Sequence, residues 1–251
     1  MSLLIRLNCT ENIAKLLFFE NQTMNVTTAQ LIEFFSQYVT EQRLEKINQL
    51  VRQRTRHITV ALEDVYQSLN AGAIVRTCES LGIQDMHCII DRNQFVVSKG
   101  IDQGASKWLT LHDYKRTEAS SGSVAAECMS ALRKNGYKIV ATSPHAQMTI
   151  SDVPLDTKLA LLFGTELNGL TDDLIDSADY LVKIPMYGFS ESFNVSVSVA
   201  LCLYDFTKRL RASDIDWQLS EDERELITLD WLRKSIDSSA LLEKEFYKRL
   251  R

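Results

Sequence analysis

Short apolar runs separated by stretches of helical periodicity are the feature that most restricts what this chain can become. Ile58–Leu62, Met86–Ile90, Trp108–Tyr114, Tyr137–Thr142, Leu159–Phe163 and Tyr180–Ile184 each have the length and apolar or β-branched content of a buried strand. Between them, Asn70–Leu81 reads as a helix stopped by Gly82. Ala125, Cys128, Met129 and Leu132 recur at helical spacing ahead of Gly136, and Val195, Val199, Cys202, Phe206 and Leu210 mark one face of a later helix. Alternation of this kind predicts an α/β fold, a mostly parallel sheet flanked by helices on both faces. Asn93–Lys107 is polar and reads as a long loop.

The flanks look helical. Thr27 and Thr28 are placed to cap a helix carrying Leu31, Ile32, Phe34, Phe35 and Tyr38, continuing through Leu44, Ile47 and Leu50. The tail from Ser220 reads as one or two further helices. The expected division is therefore a helical N-terminal extension over 1–56, an α/β domain over 57–211 and a helical C-terminal extension over 212–251.

Composition narrows the chemistry. With 45% hydrophobic residues over 251 positions, the chain can bury a large core. Five scattered cysteines, Cys9, Cys78, Cys88, Cys128 and Cys202, never form a C-x-x-C pair and read as reduced, mostly buried thiols. Four histidines lie far apart without zinc-ligand spacing, so the expected chemistry needs no metal. No N-terminal segment reads as a secretory signal and no apolar run has the length of a bilayer span, which points to the cytoplasm and away from membranes. The net charge of −5 argues against a general nucleic-acid binder but leaves room for local basic patches. Arg43, Lys46, Arg52, Arg54 and Arg56 form one such group, opposed only by Glu45; a solvated helix face is the plain alternative.

In an open α/β sheet ligands gather outside the carboxyl ends of the strands. Three segments there carry polar residues in definite spacings: Asn70 and Arg76 within Glu63–Arg76, Glu166 within Phe163–Leu170, and Ser192 and Asn194 within Lys183–Ala200. Each also has an ordinary reading. Asn70 and Ser192 suit helix N-caps, Gly164 and Gly169 suit turns, and Arg76 suits a surface. Phe163–Leu170 is not a P-loop, because no Lys-Ser/Thr follows its second glycine, and it lacks the dinucleotide-binding G-x-G-x-x-G.

Together and in order, N-x-G-x-x-x-R at Asn70–Arg76, G-x-E-x-x-G-L at Gly164–Leu170 and I-P-M…S-x-N-V-S-V at Ile184–Val197 resemble the signature motifs of the SpoU family of RNA ribose 2′-O-methyltransferases. A basic helix, expected here over Arg43–Arg56, leading into a strand that ends in Glu-Asp-Val is closer still to the tRNA-modifying TrmH branch. The resemblance implies a deep C-terminal trefoil knot, a homodimer, and S-adenosylmethionine held near Thr142, Gly164, Ile184 and Phe193. It implies that Arg76 deals with the 2′-hydroxyl, that Asn70, Ser192 and Asn194 position Arg76 and the RNA phosphate, and that Glu166 orients its loop or pairs with Arg76. A guanidinium normally stays protonated, so Arg76 is either strongly perturbed or holds the phosphate while another group takes the proton. Arg43, Arg52, Arg54 and Arg56 would track the RNA backbone. The implied substrate is tRNA, with the D-loop guanosine 18 the leading candidate and ribosomal RNA or the anticodon as alternatives. Phe193 departs from the family's usual Leu. Two other classes compete: a non-catalytic RNA-binding relative, and a small-molecule enzyme on a nucleotide-binding fold.

Overall fold

The computed structural model describes residues 26–250 apart from Tyr66, Gln94, Ser98, residues 117–121 and Glu166. Two compact units emerge, one spanning Arg54–Gln218 and the other formed by the chain up to Gln53 together with Leu219–Arg251.

In the larger unit, β1 (Ile58–Glu63), β2 (Asp85–Ile90), β3 (Thr110–Lys115), β4 (Tyr137–Thr142), β5 (Met148–Thr149), β6 (Lys158–Phe163) and β7 (Tyr180–Lys183) form a seven-stranded sheet in the order β3-β2-β1-β6-β4-β7-β5. Every pairing is parallel. Parallel strands need crossover connections, and those crossovers cover both faces, so the central strands are mostly apolar. β1, for instance, is buried at all its positions.

Alternate residues feed two layers. Val60, Leu62, Leu161, Phe163 and Val182 meet Ile74, Val75 and Cys78 of the helix Ser68–Ser80 and Val199, Cys202 and Phe206 of the helix Val195–Arg211. Ala61, Ile139, Ala160 and Leu162 meet Cys128, Met129 and Leu132 of the helix Val124–Lys134 on the other side. The expected helix stops hold, with Gly82 at φ 81° and Gly136 at φ 82°.

Some expectations change. Trp108 closes a short 3₁₀ turn, Ala105–Trp108, so β3 begins only at Thr110, and the loop expected over 93–107 contains a helical turn at Lys99–Asp102. β5 was not anticipated, because a two-residue strand has no periodicity to read.

In the second unit the continuous helix expected from Thr27 to Leu50 is two helices, Thr28–Ser36 and Glu41–Val51. The Thr40 hydroxyl accepts from Arg43 N–H and starts a new helix there, which local capping chemistry favours over continuation. Helices Glu221–Ser235 and Ser239–Arg249 complete the unit, whose core includes Phe35, Ile47, Trp231 and Leu232. The Phe34 and Phe246 rings meet at 4.7 Å between centroids.

The basic stretch is not one helix either. Helical structure ends at Val51, and Arg54 is only 2% exposed. Its guanidinium donates to the Glu79 carboxylate at 2.8 Å and to the carbonyls of Glu79 and Ile83. Arg54 is therefore a structural residue rather than an RNA contact. Arg56 is half-buried and paired with Asp85 at 2.7 Å, while Arg43 and Arg52 are exposed.

Cys78, Cys88, Cys128 and Cys202 are free and buried, and burial pushes the thiols of Cys78, Cys128 and Cys202 up to about 12. They are poor nucleophiles at neutral pH. Cys9 lies outside the described residues. No helix among the described residues is long and apolar enough to cross a membrane.

Candidate active site

The carboxyl ends of β4, β6 and β7, adjacent in the sheet, open onto one cleft. Its larger part, about 470 Å³, is lined by Thr142, Ser143, Phe163, Gly164, Gly169 and Phe193, among others. A smaller recess of about 80 Å³ continues from Thr142, Ser143, Pro144, Ser192 and Phe193 to Lys183, Ile184 and Met186. The combined size is that of a pocket for a cofactor or small ligand. Thr142, Gly164, Ile184 and Phe193 thus converge from separate segments. Ser143, Pro144 and Ser198, which line both parts, were not singled out from sequence. Their one signal is position, for Ser143 and Pro144 directly follow a strand at its carboxyl end.

The loop after β6 is shaped by its own backbone. Thr165 and Gly169 exchange two backbone hydrogen bonds, of 3.2 and 2.9 Å, and pinch the loop shut. The pinch brings Gly169 against Gly164 so closely that a Cβ on Gly164 would stand 2.0 Å from the Gly169 carbonyl oxygen. Only glycine fits there. The far end of the loop is pinned by Glu63, at the end of β1. Its carboxylate accepts from Thr171 N–H and from the Thr171 hydroxyl, both at 2.8 Å. From sequence, Glu63 enters only as part of the Glu-Asp-Val strand end and is given no role; an acidic side chain closing a largely apolar strand was the available signal.

The third motif turns into the helix Val195–Arg211 at Asn194, whose Oδ1 accepts from Ser196 N–H at 2.9 Å as an N-cap. Asn194, and not Ser192, therefore does the capping. Asn194 Nδ2 donates to Asn70 Oδ1 at 3.2 Å, and Asn70 Nδ2 donates to Gln67 Oε1 at 3.0 Å. Asn70 is buried in the first turn of the helix Ser68–Ser80; Gln67 occupies its cap position, so Asn70 is not a cap. First and third motifs are joined by this amide pair.

Arg76 lies on the same helix as Asn70 and is exposed. Six residues of α-helix carry it about 9 Å along the axis and about 120° around from Asn70. It lines neither part of the cleft. Glu166 lies outside the described residues. Ser192 lines both parts. Among the described residues no group of His, Cys, Asp and Glu side chains is arranged to hold a metal ion.

A parallel α/β sheet with a glycine-pinched cleft at its carboxyl edge, bounded by these motifs, defines a class, and the sequence profile of the SpoU rRNA Methylase family matches residues 57–204. The chain belongs to this family. Within it, the chain is 36% identical over 213 residues to the tRNA (guanosine(18)-2'-O)-methyltransferase of Borreliella burgdorferi, covering 84% of this chain and 94% of that protein. The crystal structure of the Aquifex aeolicus TrmH/SpoU tRNA modifying enzyme superimposes with a TM-score of 0.68 at 26% identity, covering 78% of this chain and 98% of the other. The fold is also that of the SpoU methyltransferase AviRb from Streptomyces viridochromogenes in complex with AdoMet, with a TM-score of 0.53 and 20% identity over 65% of this chain and 64% of that one.

Proposed function

We propose that this chain transfers the methyl group of S-adenosylmethionine to the ribose 2′-hydroxyl of guanosine 18 in tRNA, in the cytoplasm. The observation that carries the reading is the convergence of Thr142, Gly164, Ile184 and Phe193 on one cleft, in a chain 36% identical to a guanosine-18 methyltransferase across 94% of that enzyme. The cleft's volume and the bare backbone at Gly164 and Gly169 suit a nucleoside-sized cofactor. When bound, S-adenosylmethionine supplies a methyl group on a sulfonium centre already activated toward an oxygen nucleophile.

The chain's own task is positioning, which contributes roughly 7–11 kcal/mol in the best intramolecular cases. Ser192, on the cleft wall, is placed to donate to an RNA phosphate. The Asn70–Asn194 pair holds the first helix turn of one motif against the cap of another, which fixes the start of the helix that carries Val195 and Ser198 of the cleft wall. The planar guanidinium fork of Arg76 is suited to clamp the phosphate beside the reacting ribose.

Arg76 stands apart from the cleft of its own chain, which supports a homodimer in which each copy's Arg76 serves the other's cleft. The helix Val195–Arg211 presents an outward stripe for such a contact, with Val197 43%, Leu201 38% and Tyr204 58% exposed. The strand order supports a trefoil knot within a catalytic domain spanning 57–211. β6 inserts between β1 and β4, and the chain leaving β7 returns to lay its helix on Ser68–Ser80. Exposed Arg43 and Arg52 are the RNA-backbone contacts of this reading.

The test is methyl transfer from labelled S-adenosylmethionine to separated tRNA and ribosomal RNA, with the labelled nucleotide identified. The expected product is 2′-O-methylguanosine at position 18 of tRNA. Label at the anticodon or in ribosomal RNA would overturn the substrate assignment. A protein that binds the cofactor and labels neither RNA would overturn the activity.

A further inference from the structure

Large apolar side chains are exposed at many points of the chain, but the most exposed of them are not spread evenly. Among the described residues the most exposed are Phe189 at 109%, Tyr187 at 98% and Leu167 at 88%, followed by Leu69 at 64%. Leu167 sits in the loop after β6 and lines the cleft, Tyr187 and Phe189 sit in the loop after β7, and Leu69 adjoins Asn70. Single exposed apolar residues are ordinary, but here the extremes all fall in the three motif segments.

Tyr187 and Phe189 differ in kind from the aliphatic members. They are planar rings flanking Gly188, and at these exposures neither ring packs against its own chain. Their neighbours Met186, Glu191, Ser192 and Phe193 line the cleft, so the rings stand at its edge. The chain that follows them, Ser190 to Ser192, is polar, unlike the outward stripe of Val197, Leu201 and Tyr204 on the next helix.

The chemistry of the substrate says what must arrive there. A nucleobase is attached to the sugar carbon next to the one bearing the 2′-hydroxyl. Once that hydroxyl reaches the cleft, the base lies no further than a sugar's width from the mouth. RNA-binding proteins that handle unpaired nucleotides stack the splayed base on aromatic side chains, and enzymes that modify one nucleotide extrude it from its neighbours.

We propose that Tyr187 and Phe189 form a stacking rim that receives the base of the target nucleotide while its ribose engages the cleft. The proposal rests on the RNA-methyltransferase reading above. It makes the two rings specificity and positioning residues, acting through the base and not through the transferred methyl group.

The test uses the full chain with Tyr187→Ala, Phe189→Ala and the double replacement. It also uses an aromatic-conserving pair, Tyr187→Phe with Phe189→Tyr, and an aliphatic pair, Tyr187→Leu with Phe189→Leu. Measured are the tRNA KM, the single-turnover methylation rate, the dissociation constant for S-adenosylmethionine and the sedimentation coefficient. Stacking on aromatic side chains predicts a rise of about 5- to 150-fold in tRNA KM, or a fall of that size in single-turnover rate, for the double alanine variant. Cofactor binding and sedimentation should stay unchanged, with recovery in the aromatic pair and none in the leucine pair. Full activity in the leucine pair, or in the double alanine variant, would overturn the stacking role. Altered sedimentation would overturn it too, by assigning the rings to contact between copies. Wild-type protein that methylates no tRNA would instead remove the reading on which the proposal stands, an outcome visible before any variant is compared.

Discussion

Asn194 donates its amide hydrogen to Asn70 Oδ1 at 3.2 Å, joining residues 124 positions apart, one in the first turn of a helix and the other capping a second. Neither amide is spare: Asn194 Oδ1 holds Ser196 and Asn70 Nδ2 holds Gln67. Asn70→Ala should therefore lower stability by about 0.5–1.5 kcal/mol while reducing methyl transfer by roughly 100-fold through misplacement of Asn194 and of its cleft-lining neighbours Phe193 and Val195. Asn194→Ala should cost more in stability, because the helix cap goes with it. A double-mutant cycle on chemical denaturation should return a coupling of about 1 kcal/mol. Zero coupling would mean the pair does not join the motifs in solution.

Gly164 has no room for a side chain. In Gly164→Ala the added methyl would meet the Gly169 carbonyl, and the bridge between Thr165 and Gly169 must open to relieve it. The sheet core is untouched, so the variant should remain folded by circular dichroism yet bind S-adenosylmethionine at least roughly 100-fold more weakly. Calorimetric titration checks this; wild-type affinity would show that the pinched loop does not shape the cofactor site.

The arginines of the basic stretch should separate into two groups. Removing Arg54 leaves Glu79 and two carbonyls without their buried donor, so Arg54→Ala should destabilise by about 2–3 kcal/mol. Arg43→Ala and Arg52→Ala, at exposed positions, should change stability by less than about 0.5 kcal/mol. Each should flatten the salt dependence of tRNA binding by about one unit of slope. Binding titrations over a salt series, beside melting curves, decide it. An unchanged slope in both exposed variants would leave Arg43 and Arg52 as solvated charges.

Stability should carry an acid limit set near the sheet edge. The His87 ring stacks on that of His112 at 4.6 Å, and burial, reinforced by the His112 charge, lowers the His87 pKa to about 3. Burial would raise the Asp85 carboxyl, but the His112 hydrogen bond and the Arg56 charge outweigh it and leave the pKa lowered. His87 in the unfolded chain takes a proton near pH 6.5, whereas in the native state it resists one down to about pH 3. Stability should thus be greatest above about pH 6.5 and fall progressively toward pH 3, with Asp85 adding its own loss only at the acid end of that range. His87→Gln should flatten the upper part of the decline in a melting-temperature series. An equal slope in wild type and variant would place the acid sensitivity elsewhere.

Much of this protein was decided locally and could be read along the chain. A run such as Ile58–Leu62, apolar but for Thr59, or Leu159–Phe163 is apolar because it is covered on both faces, and the buried stripe of Val199, Cys202 and Phe206 follows from 3.6 residues per turn. The three motifs were legible for the same reason, being short and contiguous. Other properties depended on which distant segments meet. Periodicity states which face of an element is apolar but not what covers it, so the insertion of β6 between β1 and β4 left no trace in either strand. A cluster of positive charges looks the same whether its members face water or a carboxylate, and only the packed fold shows Arg54 held by Glu79 while Arg43 stays exposed. Spacing placed Asn70 and Arg76 on one helix and helix geometry set the rotation between them, but the arrival of Asn194 at one of them was decided by tertiary structure.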